Sequence, residues 1–133
     1  MTLTIQEVFE QASGCGDHPL TITAAEINGA ETILALGGCG CRGLSPNYDT
    51  CGSYCDTESF AVAKLPDGRY VVIHESSDTT GHGCRCSGGD STHATLSDAL
   101  WHGLGREDRE MALKYLDATD VKAREIRGLL LNA

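Results

Sequence analysis

The chain predicts an α+β fold: a small antiparallel sheet with a central β-hairpin (59–65/69–74), an N-terminal helix, three C-terminal helices, and metal-stapled Cys-rich loops at one end of the sheet. Three observations lead there. Two β-rich runs flank Pro66-Asp67-Gly68, apolar residues recur at helical spacing after Thr95, and six of the seven cysteines fall in Gly-rich stretches outside those elements.

Thr4-Ile5-Gln6-Glu7 has the form of a capping box, and Ile5, Val8, Phe9 and Ala12 follow at helical spacing up to Gly14, so a first helix is expected over 4–13. Thr23-Ala24-Ala25-Glu26 could cap a helix running to Leu36. Gly29 would then sit in its interior at a cost of about 1 kcal/mol. Asn28-Gly29 is also a turn dipeptide, and Glu31-Thr32-Ile33-Leu34-Ala35-Leu36 has strand composition, so a strand over 31–36 is preferred. In the hairpin, Pro66 and Asp67 preset a type I turn and Gly68 supplies a positive φ. Leu96, Leu100 and Leu104 define a helix capped by Thr95 with Asp98. A second helix follows over 106–118 with Met111, Ala112 or Leu113, and Leu116 inward; Asp120 caps a third carrying Val121, Ile126, Leu129 and Leu130.

At 133 residues and 41% hydrophobic content, one core and a single domain over 1–133 are expected. Aromatic residues make up only 5%, which leaves a light aliphatic core that an extra staple would help. The start carries no basic stretch followed by an apolar run, and no segment approaches a membrane span, so the chain reads as cytoplasmic with no membrane partner. In a reducing compartment, clustered cysteines argue for ligation rather than disulfides. The net charge of −9 is uneven: residues 105–133 hold six basic and six acidic groups, while the first 104 hold 13 acidic against 4 basic. Such a surface is repelled by a phosphate backbone, which argues against nucleic acid and favours a basic protein partner.

Cys39-Gly-Cys41 and Cys84-Arg-Cys86 each place two sulfurs one residue apart, awkward for bridging each other and suited to chelating one ion. If strand 31–36 runs antiparallel to strand 59–65, the loops leaving it and leaving the hairpin emerge at one end of the sheet. The expected metal site is therefore Cys39, Cys41, Cys51, Cys55, His82, Cys84 and Cys86. Zn²⁺ is the preferred ion because thiolates with an imidazole suit its tetrahedral geometry, and an iron–sulfur cluster is the alternative. Cys15 stands apart from this group and is left out. His74, Glu75 and Asp78 lie at the strand exit, either solvated or hydrogen-bonded to the ligands. No serine or cysteine triad can be nominated from the sequence, since nothing places a base beside a given nucleophile.

The run Ser77-Asp78-Thr79-Thr80-Gly81-His82-Gly83-Cys84-Arg85-Cys86, after a hairpin and before a Leu-rich helix, resembles small uncharacterised proteins of actinobacteria and their phages that share a Gly-His-x-Cys-x-Cys loop. The likeness spans roughly residues 58–104. It implies an intracellular bacterial or phage setting and carries no activity. The extra cysteines at 39–55 depart from the simpler pattern.

Three functions are consistent with these features. The first is a zinc-stabilised binding or regulatory module acting by protein–protein recognition, with no catalytic residue assigned. The second is a zinc hydrolase or deaminase-like enzyme using His82, Cys84 and Cys86 with Glu75 as acid/base, though the His-x-Glu and Pro-Cys-x-x-Cys pair of zinc deaminases is absent. The third is a thiol redox or metal sensor.

Overall fold

The structure, a computed structural model, describes residues 3–13, 20–39, 56–78, 85–116 and 119–132. Helix α1 (Ile5–Ser13) and the short α2 (Ala24–Asn28) precede four strands, β1 (Glu31–Cys39), β2 (Asp56–Lys64), β3 (Tyr70–Asp78) and β4 (Arg85–His93). A single turn α3 (Leu96–Asp98) runs into a π-helical turn, Ala99–Gly103, and α4 (Arg106–Tyr115) and α5 (Val121–Asn132) complete the order. No helix among the described residues is long and apolar enough to cross a membrane.

The sheet is a four-stranded antiparallel meander in the order β1-β2-β3-β4. Its centre is the expected hairpin. Gly68 has φ 93° and donates to Leu65 O at 3.0 Å, Leu65 N donates to Arg69 O at 2.8 Å, and Asp67 Oδ1 accepts from Arg69 N at 3.0 Å. A positive φ is what only glycine adopts without strain, so the turn residue and the register are set together.

Side-chain size divides the two faces of the sheet. Leu34, Leu36, Phe60, Val62 and Val72 point to one face and pack against Leu100, Leu104, Met111, Ala112, Leu116, Ile126 and Leu130 of the C-terminal helices. Ala35, Ala61, Ala63, Val71 and Ile73 point to the other and meet Ile5, Val8 and Ala12 of α1 with Ile27 of α2. Period-two alternation puts bulky residues under three helices and mostly small ones under α1, which lets α1 lie close to the sheet. Each fully buried Leu or Phe contributes roughly 1.5–3 kcal/mol by removing apolar area from water.

Both readings of 23–36 contribute. Thr23 and Glu26 form a reciprocal capping box on a helix that stops at Asn28, and the strand begins at Glu31. Thr4 Oγ1 accepts from Glu7 N at 3.3 Å, and Asp120 Oδ1 accepts from Lys122 N at 2.8 Å, so those two expected caps are made. The expectation for Val121 is corrected: it is 71% exposed, because at about 100° per residue it lies on the face of α5 opposite the buried Ala123, Ile126 and Leu130. The stretch 85–93, read from sequence as part of a loop before the helices, is the fourth strand.

Close approach at Gly88 locks α1 onto β4. A Cβ there would lie 2.9 Å from Ala12 O and 3.3 Å from Ala12 Cα, backbone atoms that cannot rotate away. Gly128, inside α5, has open space around its Cβ position. Gly88→Ala should therefore cost about 1–3 kcal/mol through forced displacement of α1, whereas Gly128→Ala should add about 0.4–1 kcal/mol by restricting the unfolded chain. Urea unfolding of the two variants checks the opposite signs.

Candidate functional site

The antiparallel register places two of the expected metal ligands in one transverse row. Cys39 of β1 faces Thr57 of β2, Thr57 faces Ser77 of β3, and Ser77 faces Cys86 of β4. Cys41, Cys51, Cys55, His82 and Cys84 lie outside the described residues. Among the described residues no group of three or more His, Cys, Asp or Glu is arranged to hold a metal ion.

Buried polar groups occupy the row next but one to the cysteines. Gly37, Ser59, Glu75 and Gly88 form a row on the α1 face, and Ser59 is fully buried while Glu75 is 5% exposed. Ser59 Oγ lies 3.1 Å from both Glu75 Oε2 and Gln11 Oε1, so its one proton serves either acceptor. Glu75, which the sequence offered as an acid/base, is thus held beneath α1 rather than open at the strand exit. His74, one residue earlier, is exposed and its ring lies over Gly89, where a Cβ would come within 2.9 Å of Cε1.

Helix α1 also bears on Cys15. It starts beside Thr32, whose Oγ1 accepts from Ile5 N at 3.1 Å, and ends with Ala12 against Gly88, in the row next but one to that of Cys39 and Cys86. The chain therefore leaves α1 at the cysteine end of the sheet. Cys15 itself lies outside the described residues.

On the opposite face, Asp108 in the first turn of α4 is 8% exposed and neighbours Glu58 of β2. Its Oδ1 has no hydrogen-bond partner among the described residues. Burial first, then the hydrogen bond and charge of Glu58 and the charge of Glu107, push the Asp108 carboxyl up to about 7, against the opposing pull of Arg109. Two adjacent carboxylates taken from water share a proton more readily than they both ionise.

A further polar array sits where β4 meets the C-terminal helices, and sequence reasoning missed it. Ser91 Oγ lies 2.8 Å from His93 Nε2, His93 Nδ1 lies 2.9 Å from Asp98 Oδ2, and the exposed His102 reaches Asp98 Oδ1 through its Nδ1. Ser91 and His93 share a face only because 85–93 is a strand, and Asp98 reaches them because Thr95 caps its turn, Thr95 Oγ1 accepting from Asp98 N at 3.1 Å. The signal available in the sequence was Ser-x-His followed by a capped Asp, legible only once β4 is recognised. The π-helical turn rests on this array. Arg109 closes the turn by donating to Trp101 O at 3.1 Å and Leu104 O at 2.6 Å, with its guanidinium 4.9 Å from the centre of the Trp101 ring.

Comparison with protein-family models, with curated proteins and with solved structures finds no match to this chain.

The Asp108 carboxyl fixes the sign of one pH effect. Folded, it keeps its proton to about pH 7; unfolded, it releases it near its ordinary value of 3.8. Between those limits the folded state binds more protons, so this group's contribution to stability falls as pH rises. Asp108→Asn should flatten the fall in urea midpoint between pH 5 and pH 8, and an unchanged slope in the variant would remove Asp108 as its source.

Proposed function

We propose that the chain is a zinc-stabilised binding module that acts by recognising a protein partner in a bacterial or phage cytoplasm. The observation that supports it most is the shared row of Cys39 and Cys86, which brings the flanks of both Cys-rich segments to one end of the sheet. Cys55 adjoins Asp56 at the start of β2, Cys84 adjoins Arg85 at the start of β4, and Cys41 follows Cys39 by two residues. Successive Cα atoms are about 3.8 Å apart, so covalent tethering alone keeps these thiols near that end.

The same register limits how the thiols pair. Cys39 and Cys86 stand on opposite edge strands, three strand spacings or roughly 14 Å apart. Zn–S bonds of about 2.3 Å do not let one ion bridge that gap while the sheet is intact. Cys39 then ligates with its neighbour Cys41 and Cys86 with Cys84, His82 completing the second set and Cys51 and Cys55 the first.

Recognition is preferred over turnover for two reasons. Four thiolates fill the coordination sphere of the first set and make that zinc a poor Lewis acid, and Glu75 is buried and hydrogen-bonded rather than presented to a water on the three-ligand second set. The acidic excess in the first 104 residues favours a basic protein surface.

Protein purified without chelator should contain zinc by elemental analysis, without the visible charge-transfer bands of an iron–sulfur cluster. Cys39→Ser and Cys86→Ser should each remove part of the metal, and the double variant should remove the sum. Complete loss of zinc from either single variant would overturn the two-set pairing, and a metal-free preparation from zinc-supplemented cells would overturn the reading itself. A basic protein captured from bacterial lysate and released at high salt should bind the Glu75→Gln variant equally well; hydrolytic activity lost in that variant with zinc retained would favour an enzyme instead.

A further inference from the structure

We propose that Ser91, His93 and Asp98 form a base-activated nucleophile that accepts acyl groups from small uncharged esters, with Ser91 Oγ as the attacking atom. This inference uses none of the thiols and stands apart from the zinc reading.

The argument begins with connectivity. Serine oxygen to Nε2 at 2.8 Å, then Nδ1 to a carboxylate at 2.9 Å, is the order in which a base takes a nucleophile's proton while an acid orients the base. Proton bookkeeping then fixes the direction of each bond. The hydrogen bonds of His93, and after it His102, hold the Asp98 carboxyl below its ordinary value, so at neutral pH it is an ionised acceptor with no proton to give. His93 Nδ1 must therefore donate to it. In the neutral ring that leaves Nε2 with its lone pair, and the Ser91 hydroxyl donates to Nε2.

The surroundings hold this geometry. Gly103, at the end of the π-helical turn, passes so near that a Cβ there would lie 2.4 Å from Val72 Cγ2 and 2.9 Å from His93 Nε2. That contact confines the ring to the side of Ser91. Local π-helical geometry recurs at functional sites, because it sets backbone where a regular helix would not. Ser91 is only partly buried and stands on β4, an edge of the sheet, so no strand among the described residues pairs with its outer flank. The substrate class follows from charge and space. Asp98 adjoins the array and the chain carries −9, which disfavours phosphate and carboxylate esters, and the backbone of Gly103 crowds His93 Nε2 so closely that bulky acyl groups are disfavoured.

The chemistry balances without a cofactor. Ser91 Oγ bonds to the acyl carbon as its proton passes to His93 Nε2; the ester C–O bond breaks and the alcohol leaves with that proton. Water then attacks the acyl-serine, giving its proton to His93, and the carboxylic acid departs as Ser91 recovers its hydrogen. Asp98 touches neither substrate nor nucleophile and is a positioning residue.

The test is site-resolved labelling of the full chain at pH 7.5 with a fluorophosphonate probe, alongside turnover of p-nitrophenyl acetate. Exposed Ser13, whose Oγ donates to Glu10 O at 3.2 Å, is the internal control in the same molecule. Ser91 should label about 100-fold faster than Ser13, the scale of general-base assistance. Ser91→Ala should abolish the adduct and the esterase signal, and His93→Gln should slow labelling at least about tenfold. Asp98→Asn should slow labelling at neutral pH and alter its pH profile with the circular dichroism spectrum unchanged, which a merely structural aspartate would not do. Should a variant unfold, Ser91→Thr keeps a hydroxyl at the site and should retain a slower adduct. Labelling of Ser91 no faster than Ser13, or a rate indifferent to His93→Gln in a folded protein, would overturn the proposal.

Discussion

Everything in this domain leans on the central hairpin being buried on both faces. Phe60, Ala61, Val62 and Ala63 in β2 and Val71, Val72 and Ile73 in β3 are all inaccessible to water, so alternate side chains must satisfy two different partners. Large residues meet the three C-terminal helices and mostly small ones meet α1. A one-residue slip in register would exchange the two sets, pressing Phe60 against a helix that in β2 meets Ala61 and Ala63. The glycine turn at 68 forbids that slip locally, and the size alternation forbids it globally. Agreement between local and global choices of this kind is what gives a sequence one fold.

Because the hairpin is fixed, the edges of the sheet can carry unusual sequence. β4 contains Arg85, Cys86, Ser87, Gly88, Gly89 and Asp90, with hardly an apolar side chain to anchor it. Its position is held instead by polar and backbone contacts. The Asp90 carboxylate accepts from Thr21 N, Thr21 Oγ1 and Ile22 N at 2.7–3.1 Å, tying the approach to α2 onto the edge strand. Gly88 admits α1, and the Ser91–His93–Asp98 array ties the strand to the π-helical turn. An edge built this way has little exposed apolar surface with which to pair with another chain.

These facts explain what was legible in the sequence. The hairpin could be read because Pro66-Asp67-Gly68 names a turn type and its flanks carry strand residues, and the caps at Thr4, Thr23, Thr95 and Asp120 could be read because capping is a local bond. β4 could not, since strand patterning looks for apolar alternation and this strand is secured by tertiary hydrogen bonds and a glycine contact. The hydrogen-bonded array went with it: Ser91 and His93 are two apart, a spacing that means one face only in a strand. Val121 was misread because it was grouped with Ile126 and Leu130 as apolar, although helical spacing sets it about 180° from Leu130, on the outer face. Of the expected metal ligands, Cys39 and Cys86 share a row through the β1–β2 and β3–β4 pairings, the second of which the sequence did not reveal.

The strand order has a consequence for how the chain folds. Each strand pairs only with its neighbours in sequence, so the sheet can grow by adding one strand at a time without threading or crossing. The turn between β2 and β3 is the shortest closure, the segment between β3 and β4 is longer, and that between β1 and β2, residues 40–55, is the longest. Loop-closure entropy grows slowly with length, so joining β2 to β3 costs least and joining β1 to β2 costs most. Residues 40–55, which carry Cys41, Cys51 and Cys55, span the costliest of these closures, so an ion that tied them to the sheet would offset the largest of the three entropic terms.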